Sequence, residues 1–363
     1  MSSEATIMGP GSPERRLVVR ALRMVAWNHD PELAEVAEPE AGPGEVVITV
    51  GGAGVCHSDL HLLYEFPAGA MPWTLPMTLG HENAGWVHQL GPGVTGLEVG
   101  QAVAVYGPWG CGACAACARG EENYCRRAPM GTPVGGLGAD GGMAEFLRVP
   151  GARHLVVLPD PLGPVDAAPL TDAGLTPYHA VNRARRVLVP GNTALVIGVG
   201  GLGHLAIQIL RATSDARVVA VDVRTEALDL ARSCGAEQVV PAGDAAAGAI
   251  RDLTGGRGVD AVFDMVGSDE TLALAGATVA VDGHIGLVGL AGGTLPVSLL
   301  GLPFGVTVTP TYWGTLPELH EVLHLAAHGD LRAHKVTYPL ASADEAYAAV
   351  RSGSVLGRAV VVP

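Results

Sequence analysis

A chain of 363 residues, 48% of them hydrophobic, is long enough for two domains and carries ample apolar material for both cores. Its formal charge of −14 excludes nucleic acid and anionic membrane surfaces as partners, since both select clustered Lys and Arg. No stretch gives eighteen uninterrupted apolar residues, and MSSEATIMGPGSPERR has no apolar core of signal-peptide length, so a cytoplasmic protein with no membrane partner is expected.

Residues 1–18, rich in Gly, Pro and Ser and without periodicity, read as a disordered arm. From 19 to about 150, short valine-rich runs (EVVITV, QAVAVY, AEFLRVP) alternate with Gly-Pro turns, the pattern of an antiparallel β domain. Inside it stands GVCHSDLH, and His81 of GHENAG follows Cys56 by 25 residues with Glu82 beside it. Cys56 and His81 are the first two candidate ligands for a reactive metal. Zinc with three protein ligands keeps a fourth position open and brings a bound hydroxyl toward neutral pKa. An alcohol otherwise holds its proton about as firmly as water, with a pKa near 16, roughly.

Next in the chain, GCGACAACARGEENYC spaces Cys111, Cys114, Cys117 and Cys125 by two, two and seven residues. Four thiolates so spaced can converge on one tetrahedral zinc at about 2.3 Å each, rather than form two disulfides, and a closed four-sulfur shell is structural because it leaves no place for substrate. Six cysteines grouped in this way, rather than spread as pairs, fit a reducing compartment.

From about residue 190 the rhythm becomes apolar run, glycine turn, helical stretch, repeated as βα units of a parallel sheet. Gly198, Gly200 and Gly203 form GxGxxG, with Gly201 and Leu202 inside it, directly after LVI and before HLAIQILRA. The first glycine permits the tight turn, the second lets a dinucleotide pyrophosphate approach, and the third lets helix pack on strand. Asp222 ends the next strand, nineteen residues after Gly203, and an acid there binds ribose hydroxyls and repels a 2′-phosphate. NAD(H) is therefore favoured over NADP(H), although Arg224, two residues on, could tolerate the phosphate. His204, inside the turn, reads as a packing residue. The single lysine, Lys335, excludes a short-chain-dehydrogenase pair, because position 331 is Leu where that pair needs Tyr.

Taken together, GVCHSDLH, GHENAG, the four-cysteine run and GVGGLG resemble the zinc-dependent medium-chain alcohol dehydrogenases, bacterial secondary-alcohol members included, over residues 20 to 363. The resemblance implies a GroES-like, partly barrel-shaped β catalytic domain (19–172 plus 311–363) and a Rossmann doubly wound parallel-sheet NAD domain (173–310), an α/β protein. It implies two zincs per chain, the catalytic one held by Cys56, His81 and Asp172, where many relatives carry a cysteine, or with Glu82 as third ligand. Asp59 would orient His81 from behind. Ser58 and His61 would carry the alcohol proton outward, an imidazole being suited to exchange near neutral pH. Arg358 and Val288 join the coenzyme contacts by the same resemblance. Of sixteen aromatic residues, six lie between 64 and 109; Tyr64, Trp73, Trp109 and Trp313 are expected in an apolar substrate pocket.

The activity implied is oxidation of a hydrophobic secondary or aromatic alcohol, or reduction of the ketone or aldehyde, through an alkoxide on zinc and hydride transfer to nicotinamide. A homodimer or homotetramer is implied, pairing through the nucleotide-sheet edge near GLVGL to LPVSLL. Two alternatives remain at this stage: reduction of an activated C=C or iminium on the same scaffold, and a dinucleotide-binding protein without turnover.

Overall fold

The computed structural model describes residues 18–128 and 132–363, so nearly all of the expected N-terminal arm lies outside the described residues. Two large sheets organise them. One is parallel and runs Gln238–Pro241, Arg217–Asp222, Thr193–Ile197, Val259–Asp264, Val279–Leu287, Thr307–Pro310 in spatial order. Chain order reverses at its centre, on either side of Thr193–Ile197, and such a reversal opens a crevice at the carboxyl ends of the strands. Every residue of Thr193–Ile197 is buried, as expected of a strand with helices on both faces. One of those helices, Gly203–Thr213, turns Leu205, Ala206, Ile207, Ile209 and Leu210 into the core. Among the described residues no helix is long and apolar enough to cross a membrane.

The second sheet is mixed, in the order Leu155–Val157, Ala102–Val105, Glu82–Leu90, Val46–Val55, Arg358–Val362, Lys335–Pro339. Its centre is Val46–Val55, an apolar strand that pairs antiparallel with Glu82–Leu90 on one side and with Arg358–Val362 on the other. The last strand of the chain thus completes a sheet begun by its first hundred residues. Register then decides what meets at the sheet's end. Ala359 is opposite Val55 and Glu82 is opposite Gly54, so Cys56, Glu82 and Arg358 emerge at one place. Gly54 is needed there, because a Cβ on it would lie 1.9 Å from the Glu82 carboxylate.

Candidate active site

Cys56 lies between the central strand Val46–Val55 and the short helix His57–Leu60, at whose N-cap it stands; its backbone N–H donates to Asp59 Oδ2 at 3.4 Å. His81 and Glu82 arrive on the neighbouring strand. Asp172 follows a 3₁₀ turn, Ala168–Thr171, just before the helix Leu175–Arg183. One donor atom from each of Cys56, His81, Glu82 and Asp172 falls within 4.8 Å of the others, and all but Asp172 are buried. His81 Nε2 is 3.5 Å from Asp172 Oδ2.

Behind the set, Asp59 is fully buried with Oδ1 3.1 Å from His81 Nδ1, close enough to pair though not aligned as a hydrogen bond. Its other oxygen accepts from Tyr347 at 2.9 Å. Burial works against a proton on His81, but Asp59 and Asp172 outweigh it and hold the imidazole well above its ordinary pKa. A pocket with this many negative donors calls for a cation, and a metal ion that displaces the proton supplies one. Thiolate, imidazole and carboxylate are all zinc donors, so the residues fit the ion expected of them. Thr176 donates to Asp172 Oδ1 at 2.5 Å; although Asp172 is partly exposed its carboxyl is largely enclosed, and His81 outweighs that desolvation and keeps the carboxyl low.

Glu82 has a second commitment. Arg358 Nε donates to its Oε2 at 3.0 Å and Nη2 bonds its Oε1, and both side chains are buried. Burial works against charge on Arg358, and Glu82 outweighs it and keeps the guanidinium charged. On its other side Arg358 touches the glycine turn, where a Cβ on Gly201 would lie 2.6 Å from Nη1.

The turn itself is tightly built. Gly198 has φ +84°, and a Cβ on Gly203 would lie 1.9 Å from the Gly198 carbonyl oxygen. Above Gly200 there is open space within 4 Å, which is the approach a pyrophosphate requires. Leu202 precedes the helix, and Val288 follows the strand Val279–Leu287 with its N–H on Asp264 O. Asp222 accepts from the Val199 N–H at 2.7 Å and the Arg224 N–H at 2.9 Å. Arg224 donates to the carbonyls of Gly353 and Val355 at 2.7 and 3.3 Å. The turn, the acid at the next strand end and the crevice therefore fit a dinucleotide.

Ser58 Oγ lies 3.4 Å from His81 Nε2, and His61 Nδ1 lies 2.5 Å from Glu65 Oε2 on a π-helical turn, His61–Glu65. Among the four aromatic candidates, Trp313 presents an edge to His81 at 5.7 Å between centroids. Trp109 donates to Tyr106 O, Trp73 stacks on Trp27 at 6.3 Å, and Tyr64 donates to Asp30 with Arg351 over its ring.

The four-cysteine run folds on itself, with sulfur separations of 3.5 Å (Cys114 to Cys117), 3.8 Å (Cys114 to Cys125) and 3.9 Å (Cys111 to Cys117). Sulfurs about 2.3 Å from a tetrahedral zinc stand about 3.8 Å apart, whereas disulfides need about 2.05 Å. All six cysteines are free.

Sequence reasoning missed Tyr347, Thr176 and the Glu82–Arg358 pair. Thr176 carried a local signal, four residues after Asp172 at a helix start; Tyr347 lies 288 residues from Asp59 and carried none.

Comparison with known proteins agrees with this geometry. Residues 42–160 match the alcohol dehydrogenase GroES-like domain, and residues 201–328 match the zinc-binding dehydrogenase domain. The chain is 36% identical over 355 residues to a NAD-dependent alcohol dehydrogenase of Sulfurisphaera tokodaii, covering 95% of this chain and 100% of that one. It superposes with a TM-score of 0.88 on the alcohol dehydrogenase of Aeropyrum pernix, at 36% identity, over 95% of this chain and 100% of that one. Acetophenone reductase of Geotrichum candidum, solved with NAD, gives 0.83 at 30% identity over 98% and 99%. With its metal-type donor set at a sheet end, its glycine turn and its four-cysteine lobe, the chain belongs to the zinc-type medium-chain alcohol dehydrogenase family.

Proposed function

We propose that the protein interconverts a hydrophobic alcohol and its ketone or aldehyde with NAD(H), using zinc held by Cys56, His81 and Asp172. The observation that carries this is the placement of those donors beside the glycine turn, with Arg358 between the two. Zinc, when bound there, supplies a Lewis acid that makes a hydroxyl proton easy to remove.

The chain's own residues do the rest. Asp59, itself fixed by Tyr347, orients His81. Ser58 Oγ, 3.4 Å from His81 Nε2, is placed to take the hydroxyl proton. His61 passes it outward, and its bond to Glu65, whose side chain is 57% exposed, supports an exit to solvent through that carboxylate. Glu82 is occupied by Arg358, which supports Asp172 as the resting third ligand. The sulfur separations of the cysteine lobe support a second, structural zinc.

NAD preference is supported by Asp222 at the end of the strand Arg217–Asp222 and by Arg224, whose guanidinium already donates to the carbonyls of Gly353 and Val355. Trp313 and Tyr312, edge to face at 5.6 Å beside His81, support an apolar substrate, as does the similarity to acetophenone reductase. Self-association is supported by Val297, Leu299, Leu300 and Phe304, all exposed just before the edge strand Thr307–Pro310.

Initial rates for 1-phenylethanol, ethanol and an aldose with NAD and with NADP test this reading. The expected order puts 1-phenylethanol with NAD first, by about tenfold in kcat/KM over NADP. Preference for the aldose, or for NADP, would overturn the corresponding part.

A further inference from the structure

The helix that starts at the glycine turn docks on the segment where the chain re-enters the mixed sheet, and it does so with side chains in place of a strand. Gln208 Oε1 accepts from the Arg332 N–H at 2.9 Å, and its Nε2 donates to the Arg332 carbonyl at 3.0 Å. One turn earlier, His204 Nε2 lies 3.1 Å from the His334 backbone nitrogen. A backbone N–H can only donate, so Nε2 is the acceptor and the ring proton sits on Nδ1. Nδ1 then donates to the Gly200 carbonyl at 2.8 Å. The regular backbone bond from His204 N–H to that same carbonyl is long, 3.4 Å, so the ring supplies the short bond at the turn.

His204 is fully buried, and burial, with Arg358 and His334 nearby, lowers its pKa to about 4, consistent with the neutral tautomer. The segment it grips leads directly to the reactive site, because the His334 carbonyl accepts from the Arg358 N–H at 2.8 Å and Arg358 pairs with Glu82. Gly200 is also the glycine whose outer face is open.

We propose that His204 is a positioning residue for the coenzyme: its Nδ1–H fixes the Gly200 peptide in the orientation that receives the pyrophosphate, while Nε2 ties that peptide to His334, whose carbonyl holds the Arg358 N–H. Gln208 shares the docking role but does not touch the turn. The proposal rests on the dinucleotide reading above.

Two substitutions separate the ends of the bracket. His204→Asn keeps an N–H near the Nδ1 position and loses the His334 bond; His204→Gln reaches the His334 N–H and loses Gly200. Fluorescence titration with NADH, beside thermal melting of each variant, reads the difference. His204→Gln is expected to weaken NADH binding about tenfold, the scale of one lost short hydrogen bond, while His204→Asn and Gln208→Leu stay within about threefold despite lower melting temperatures. The loss is expected in Kd and in KM for coenzyme, not in kcat at saturation. Equal affinities for His204→Gln and His204→Asn, or the reverse order, would overturn it. Should one of the two be too unstable to titrate, the other decides: His204→Gln at wild-type affinity, or His204→Asn weakened tenfold, overturns the proposal, and His204→Gln weakened tenfold, or His204→Asn within threefold, supports it. Wild-type protein that binds no NADH would remove the dinucleotide reading itself, a result distinct from variants that bind like wild type.

Discussion

Arg358 and Glu82 show how far a residue's role can depend on partners distant in sequence. They are 276 positions apart, yet strand register sets them together at a buried sheet end, and Gly54 leaves the space for their contact. Sequence reasoning placed Arg358 toward the pyrophosphate and Glu82 beside the metal; the pairing between them was illegible because it depends on which strands become neighbours. Arg358→Leu leaves a buried carboxylate without a partner, and a loss of about 3–5 kcal/mol is expected in urea unfolding. If the variant unfolds at the wild-type midpoint, the pair contributes nothing. Trp313 is a second case. Its φ of +50° is unusual for a bulky side chain, costs on the order of 1 kcal/mol, and is held by its bond to Thr171 O and its edge contact with His81. Nothing local in PTYWGT announces that conformation. Cys56 and His81 were legible only within the set of motifs that carries the family resemblance, whereas the turn glycines stand out by their spacing between an apolar strand and a helix.

At the scale of elements, the glycine turn and the four-cysteine lobe were the most readable parts, since each is one continuous segment whose chemistry demands its residues. Gly203→Ala places a methyl 1.9 Å from the Gly198 carbonyl oxygen, so the turn must open. NADH affinity is expected to fall more than tenfold, read by titration; an unchanged Kd would mean that the close approach is not needed. In the lobe, Cys117→Ser is expected to remove one zinc per chain and lower the melting temperature by about 5 °C or more, with catalytic zinc retained. Loss of both metals, or of none, would contradict a separate structural site. The π-helical turn His61–Glu65 was not legible. It aims His61 at Glu65, and only the folded backbone shows that the contact closes at 2.5 Å.

For the whole molecule, composition and the change from valine-rich runs to βα rhythm made both sheets legible, but not that the last strand, Arg358–Val362, slots beside Val46–Val55. Buried neutral His204 gives the molecule an acid sensitivity. Its folded pKa of about 4 lies below the unfolded value near 6.5, so the unfolded chain binds more protons between these values. Its contribution is therefore complete above pH 6.5, roughly, and is lost as pH falls toward 4, by about 3 kcal/mol in all. Unfolding free energies of wild type and His204→Asn across that range check this, and parallel curves would contradict it. The exposed apolar run at Val297, Leu299, Leu300 and Phe304 is expected to hold copies together, so Leu300→Asp should shift sedimentation toward monomer. The most direct test is zinc content per chain measured alongside NADH formation from 1-phenylethanol, for wild type and Cys56→Ala. Two zincs with turnover in wild type, against one zinc and no turnover in the variant, is the expected result; one zinc in wild type, or undiminished turnover without Cys56, would contradict a catalytic metal held by Cys56, His81 and Asp172.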